Sequence, residues 1–201
     1  MIGEAHARAL ETVPGAVLSA VCDISAAGKA AALGSRYHVP VFAHLEDMLT
    51  GKRLDVVNVC TPSGMHAEQA ALVMRSACHV LVEKPLALRL EDVDHLLEVQ
   101  RETGMKLAAI SQHRFDPAAR QVKSLLDRAA LGRVVIGTAH VPWWRAQTYY
   151  DAAAWRGTVA FDGGVFMNQA IHSIDLLRWL MGPAKSVVAH VDTLVHEMET
   201  E

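Results

Sequence analysis

Val80-Leu81-Val82-Glu83-Lys84-Pro85 is an apolar run that stops on an acid, a base and a proline. Unbroken Val and Leu over so short a span read as a strand buried on both faces, the habit of a parallel sheet covered by helices. Pro85 biases Lys84 toward extended backbone and fixes the exit of the chain. A lysine is thereby placed at the carboxyl edge of a sheet, where open α/β folds bind ligands.

The same rhythm continues outward on both sides. Apolar runs at Ala16 to Cys22, Val56 to Cys60, His79 to Val82 and Leu107 to Ile110 alternate with helical spacing at Glu4 to Leu10, Ala26 to Leu33, His66 to Ser76 and Leu90 to Thr103. Strand and helix in alternation predict an α/β, doubly wound parallel sheet with right-handed crossovers. From Ser111 the rhythm changes. Pro117 to Ala130 reads as a helix between an N-terminal proline and Gly132. Val134 to Val141 reads as a strand, Trp143 to Asp162 as a polar-aromatic loop, Asn168 to Met181 as a helix stopped by Gly182-Pro183, and Ser186 to Val195 as a strand. The expected division is a dinucleotide-binding domain over residues 1–111 and part of an α+β open-sheet domain over residues 112–201.

Composition closes off other classes. With 51% hydrophobic and 20% charged residues and a net charge of -3, the chain is expected to pack a core, without the basic stripe a nucleic-acid partner needs. No apolar stretch reaches the roughly 18 residues of a membrane span, and Met1-Ile2-Gly3-Glu4-Ala5-His6 shows no charged and apolar leader. Cys22, Cys60 and Cys78 are sparse and odd in number, which fits buried thiols in a reduced, cytoplasmic protein. The eleven histidines form no H-E-x-x-H, and no paired cysteine spacing accompanies them, so no metal site is expected.

Four stretches carry candidate chemistry. Gly3 stands directly before a helix, and Asp23 ends the next strand twenty residues on. That is about the spacing between a phosphate-binding glycine turn and the acid that holds an adenosine ribose. Free N–H groups and the positive dipole end suit a pyrophosphate. A carboxylate repels a 2′-phosphate, favouring NAD over NADP. As an alternative, Asp23 is a turn or cap residue before Ser25. Asn58-Val59-Cys60-Thr61-Pro62-Ser63 ends a strand in a Thr-Pro turn, with His66 facing either the cofactor or the surface. Thr61, Pro62, His66, Glu83 and Lys84 are thus candidates for the cofactor edge, although Thr61 and Ser63 could simply cap the next helix. The Lys84 ammonium can donate to a substrate hydroxyl and hold the alkoxide, or take the proton if desolvated; a solvated surface lysine is the plainer alternative. In Gly163-Gly164-Val165-Phe166-Met167-Asn168-Gln169-Ala170-Ile171-His172-Ser173-Ile174-Asp175, Asn168 and His172 are spaced i and i+4, which predicts one helix face. His172 suits a general base, Asn168 a hydroxyl partner, and Asp175 a support or cap for His172.

Together these residues resemble the Gfo/Idh/MocA oxidoreductase family. The resemblance runs in order through Gly3, Val21-Cys22-Asp23, Thr61-Pro62 with His66, Glu83-Lys84-Pro85, and Gly163-Gly164 with Asn168, His172 and Asp175. It implies a Rossmann domain followed by an open-sheet domain, and hydride transfer between a sugar, polyol or nucleotide-sugar hydroxyl and NAD(P). It implies that Lys84 and His172 are catalytic together with Asn168, which stands where many members have aspartate. It places Arg114 on the substrate side and implies homo-oligomers among full-length members. A narrower similarity joins Pro142-Trp143-Trp144-Arg145, Tyr149-Tyr150, Trp155-Arg156-Gly157-Thr158 and Met167-Asn168-Gln169 to members that oxidise nucleotide-linked N-acetylhexosaminuronates at the 3-hydroxyl. Arg156 could there meet a carboxylate or phosphate bidentately, with ordinary loop packing as the other reading.

The family's first strand and the first two glycines of its phosphate turn have no counterpart, nor does most of its second domain. The resemblance therefore implies a chain truncated at both ends, binding NAD poorly or not at all and prone to aggregate. Two other classes stay open: a non-catalytic dinucleotide-fold sensor, and an inactive fragment of such an enzyme.

Overall fold

The structure, a computed structural model, describes residues 2–25 and 27–201. Met1 and the helix start expected at Ala26 lie outside the described residues. The chain divides into two compact units. The first comprises Met1–Thr61, His66–Glu83 and Glu91–Ala108; the second comprises Pro62–Met65, Lys84–Leu90 and Ala109–Glu201.

Strand and helix alternate along the first part of the chain: α1 (Ile2–Leu10), β1 (Val21–Cys22), α2 (Lys29–Tyr37), β2 (Val41–Phe42), α3 (Leu45–Gly51), β3 (Val56–Val59), α4 (His66–Arg75), β4 (His79–Val82), α5 (Leu90–Thr103) and β5 (Leu107–Ala109). β1 and β2 pair in parallel, with Val21 opposite Val41. β3 and β4 pair in parallel from Val56 opposite His79 to Val59 opposite Val82, and β5 follows on the other side of β4. Parallel neighbours need a crossover, and α4 and α5 supply it. Val57, Val59, Val80 and Val82 of the strands, Ala70, Val73 and Met74 of α4, which packs on both strands, and Leu96 and Val99 of α5 are all buried. Each of the buried Val, Leu and Met side chains stabilises by about 1.5–3 kcal/mol.

Several boundaries differ from the sequence reading. The strand expected from Ala16 shrinks to Val21–Cys22, because its partner β2 offers only two residues and is preceded by Pro40. β2 is too short to show a period, and neither it nor α3 is expected from the pattern; the first turn of α3 carries Glu46 and Asp47 against the helix dipole. α2 runs past Leu33 to Tyr37 and ends where His38 turns left-handed, its N–H returning to Gly34 and Ser35 carbonyls. Of the thiols, Cys78 is buried, whereas Cys22 and Cys60 are half-buried.

The second unit is helical: α6 (Pro117–Asp127), α7 (Gln147–Asp151), α8 (Gly164–Asn168) and α9 (Ile171–Met181). The strands expected at Val134–Val141 and Ser186–Val195 are not formed; among the described residues no strand follows Ala109. Alternation supplies a face, but a strand exists only beside a hydrogen-bonding neighbour, and among the described residues neither segment has one. Val135, Ile136, Val187 and Val188 are accordingly 80–86% exposed. The long loop holds the short helix α7, and the helix expected from Asn168 to Met181 breaks in two. No helix among the described residues is long and apolar enough to cross a membrane.

Candidate active site

Gly163 opens the second unit's central feature. Its φ of 77° is left-handed, and a Cβ there would strike Leu88 and Met167, so only glycine turns the chain into α8 at this point. α8 lasts five residues. The N–H groups of Gln169 and Ala170 then both return to Val165 O, at 3.0 and 2.8 Å, and the chain turns before α9 begins. Asn168 therefore ends one helix and His172 lies in the first turn of another. The single face expected from their spacing is corrected to two helices meeting at Gln169-Ala170.

The joint lets Asn168 face Lys84. The Lys84 Nζ donates to Asn168 O at 2.7 Å and to Asn168 Oδ1 at 2.8 Å. Both charge-assisted bonds end on one residue, so the half-buried ammonium is aimed by its partner rather than left to solvent. Lys84, His113, Ile171, His172 and Asp175 line a common pocket of about 100 Å³. A few waters of roughly 30 Å³ each would fill it, so it suits the reacting end of a sugar ring rather than a whole nucleotide sugar. His113 meets the His172 ring edge-on, centroids 5.0 Å apart, and its Nδ1 lies 2.7 Å from Asp116 Oδ2.

Asp175 faces Arg114. Its carboxylate takes two bonds from Arg114, Nε to Oδ2 at 2.7 Å and Nη2 to Oδ1 at 2.5 Å. This carboxylate raises the Arg114 guanidinium further above its ordinary range. Arg114, expected on the substrate side, is thus committed bidentately to α9, at the margin of the pocket that Asp175 lines. The side chains are 40% and 23% exposed, between the surface and buried limits. Asp175→Asn is expected to cost about 1–2 kcal/mol, read as a lower urea midpoint at unchanged m-value.

Arg156, the other expected substrate contact, is held within its own loop. Its Nη1 donates to Tyr149 O at 2.6 Å, and its guanidinium lies 4.2 Å from the Tyr149 ring centre. Arg145 approaches the same ring at 5.1 Å. Both guanidiniums thus stack on the one Tyr149 ring.

In the first unit, Gly3 sits in the first turn of α1, and a Cβ there would meet only Cys60 Cβ, at 3.9 Å. No neighbour among the described residues demands glycine, whereas close approach of a phosphate to the helix N–H groups does. Asp23 directly follows β1, and its Oδ1 accepts the Ser25 N–H at 2.8 Å, so the turn reading is realised at that oxygen. These residues fit a dinucleotide's pyrophosphate and ribose. Thr61 donates to Gln69 Oε1 at 2.8 Å, and His66 is buried with Nε2 2.8 Å from Thr61 O. His66 therefore shapes the turn after β3 and does not face the surface. Pro62 leads the chain into the second unit, where the Gly64 N–H donates to Phe161 O at 3.2 Å.

Glu83, expected at the cofactor edge, is buried and turned inward: its Oε1 lies 2.9 Å from His6 Nε2, and His6 Nδ1 lies 3.1 Å from Asn58 Nδ2. Sequence reasoning missed His6, His113 and Asp162. Asp162 is visible in the sequence only as the acid before Gly163-Gly164, and His6 only as a polar residue one turn after Gly3. Among the described residues no group of three or more His, Cys, Asp or Glu is placed to hold a metal ion.

The model of the Gfo/Idh/MocA oxidoreductase family's NAD-binding Rossmann fold matches residues 1–111, and that of the Gfo/Idh/MocA C-terminal domain matches residues 119–201. The WlbA dehydrogenase of Bordetella pertussis, solved in complex with NADH and UDP-GlcNAcA, is 36% identical with a TM-score of 0.94, covering 100% of this chain and 63% of its own. The Chromobacterium violaceum WlbA dehydrogenase, solved with the same two ligands, is 40% identical with a TM-score of 0.94, covering 100% and 58%. D-glucoside 3-dehydrogenase of Escherichia coli K12 is 32% identical over 182 residues, 86% of this chain and 49% of its own. The chain spans about half the length of the curated relatives it matches.

Proposed function

The chain belongs to the Gfo/Idh/MocA oxidoreductase family, and from that premise we propose that it serves an NAD-dependent dehydrogenase that oxidises a secondary hydroxyl of a sugar, polyol or nucleotide sugar. One observation carries the reading: the Lys84 ammonium, aimed by two oxygens of Asn168, shares a pocket with His172. A substrate hydroxyl placed there accepts a hydrogen bond from Lys84 Nζ, which then stabilises the alkoxide as charge develops. His172 takes the hydroxyl proton near neutral pH. Asn168 keeps the ammonium directed. Gly3 at the N-terminus of α1 and Asp23 directly after β1 would hold NAD, whose nicotinamide supplies the hydride acceptor when bound. An acid at position 23 favours NAD over NADP.

The ligands of the two WlbA structures put a nucleotide-linked N-acetylhexosaminuronate first among candidate substrates. The test has two stages. Calorimetric titration with NAD and NADP decides whether the one glycine in the first turn of α1 suffices for binding. The chain is then incubated with NAD and, in turn, UDP-GlcNAcA, a glucoside and an inositol, and nicotinamide reduction is followed by absorbance. Substrate-dependent reduction is expected. NAD binding without reduction by any of the three would overturn the reading in favour of a sensor.

A further inference from the structure

We infer that Asp162 is a positioning residue that acts through Asn168 on Lys84, an inference resting on the dehydrogenase reading for its catalytic consequence but on geometry alone for the coupling. Asp162 is 3% exposed and fixed from several directions. Its own N–H and that of Gly163 both donate to Thr158 O, at 3.0 and 3.1 Å. Its Oδ2 accepts the Gly157 N–H at 2.8 Å. Gly157 is itself pinned, its carbonyl accepting the N–H groups of Glu199 and Thr200 at 3.0 and 3.2 Å. The remaining oxygen, Oδ1, accepts from Asn168 Nδ2.

An ionised carboxylate only accepts and an ammonium only donates. The amide between them has one orientation that satisfies both: NH2 toward Asp162, oxygen toward Lys84. Asp162 thereby selects the amide orientation, and its charge polarises the amide toward Lys84. The same contact accounts for an amide at position 168. A carboxylate there would lie against Asp162, and two anions in contact force one to hold a proton.

Reciprocal exchange tests this. In Asp162→Asn, every choice of amide orientations leaves one donor facing another, at Gly157, at Asn168 or at Lys84. In Asn168→Asp, two carboxylates meet. In the double variant, the amide introduced at position 162 accepts from Gly157 and donates to the carboxylate introduced at position 168, which accepts from Lys84, so each bond is restored. Each single variant is expected to lose about tenfold or more in kcat at unchanged KM for NAD, and the double variant to recover most of that loss. An independent readout does not need turnover: in wild type, one side-chain amide proton of Asn168 is expected downfield and slow to exchange by NMR, and that signature is lost in Asp162→Asn. A double variant as slow as the singles, or an Asn168 amide that exchanges alike with and without Asp162, overturns the coupling. A wild-type chain with the protected amide but no NAD reduction on any substrate supports the coupling and overturns the dehydrogenase reading.

Discussion

Replacing Lys84 with methionine is expected to lower turnover by about a hundredfold to a thousandfold, the range lost when a donor that stabilises a developing oxyanion goes. Methionine keeps most of the aliphatic stem, so the pocket retains its wall, while the ammonium is removed together with its bonds, the two to Asn168 among them. NAD affinity is expected to stay at the wild-type value, because Gly3 and Asp23 are untouched. Steady-state kinetics and calorimetry on the same sample separate the two quantities. A variant that turns over within about tenfold of wild type would defeat the assignment of Lys84, since a loss that small corresponds to about one ordinary hydrogen bond.

His6→Ala is expected to give the largest loss of stability. The His6 and Glu83 side chains are 14% and 9% exposed and lie 2.9 Å apart. Removing the imidazole takes one partner from a buried carboxylate, which costs about 1–3 kcal/mol and lowers Tm by roughly 2–12 °C in a chain of this size. Hydrogen bonds with Cys60 and Glu83 push the His6 pKa from 6.5 up to about 10. Asn58 as placed presents Nδ2 to Nδ1, which suits the neutral ring; charging the ring calls for the amide's oxygen and nitrogen to exchange places. A folded-state pKa above the unfolded one means the folded state holds the proton more tightly. The stabilisation is complete below pH 6.5 and is lost as pH rises through about 10. Denaturant unfolding of wild type across that window should show stability falling with pH, and His6→Ala should remove this part of the slope. An unchanged slope in the variant would assign the dependence to other groups.

What can be read in advance follows from how far apart the interacting residues lie. β3, β4 and α5 announce themselves through local apolar runs and spacing, and Pro85 marks the turn that carries Lys84. The His6–Glu83 pair joins positions 77 residues apart, and nothing in either neighbourhood points to the other. The break between α8 and α9 carries no glycine or proline at Gln169-Ala170, so helical spacing runs on through it. Arg114 and Asp175 lie 61 residues apart, and nothing near either in sequence announces their bidentate pair. Val134–Val141 and Ser186–Val195 have the pattern of strands, and pattern alone does not supply a ladder.

The two-residue joint at Gln169-Ala170 also bears on how this chain tolerates inherited change. Had Asn168 and His172 shared one rigid rod, any slip of that rod would have displaced both at once. With the joint between them, α9 can exchange its apolar stripe and shift against its neighbours while the anchor of the ammonium stays with α8. Drift in α9 is felt at the imidazole and at the Asp175–Arg114 pair, so the proton acceptor can be retuned for a new hydroxyl geometry without loosening the lysine.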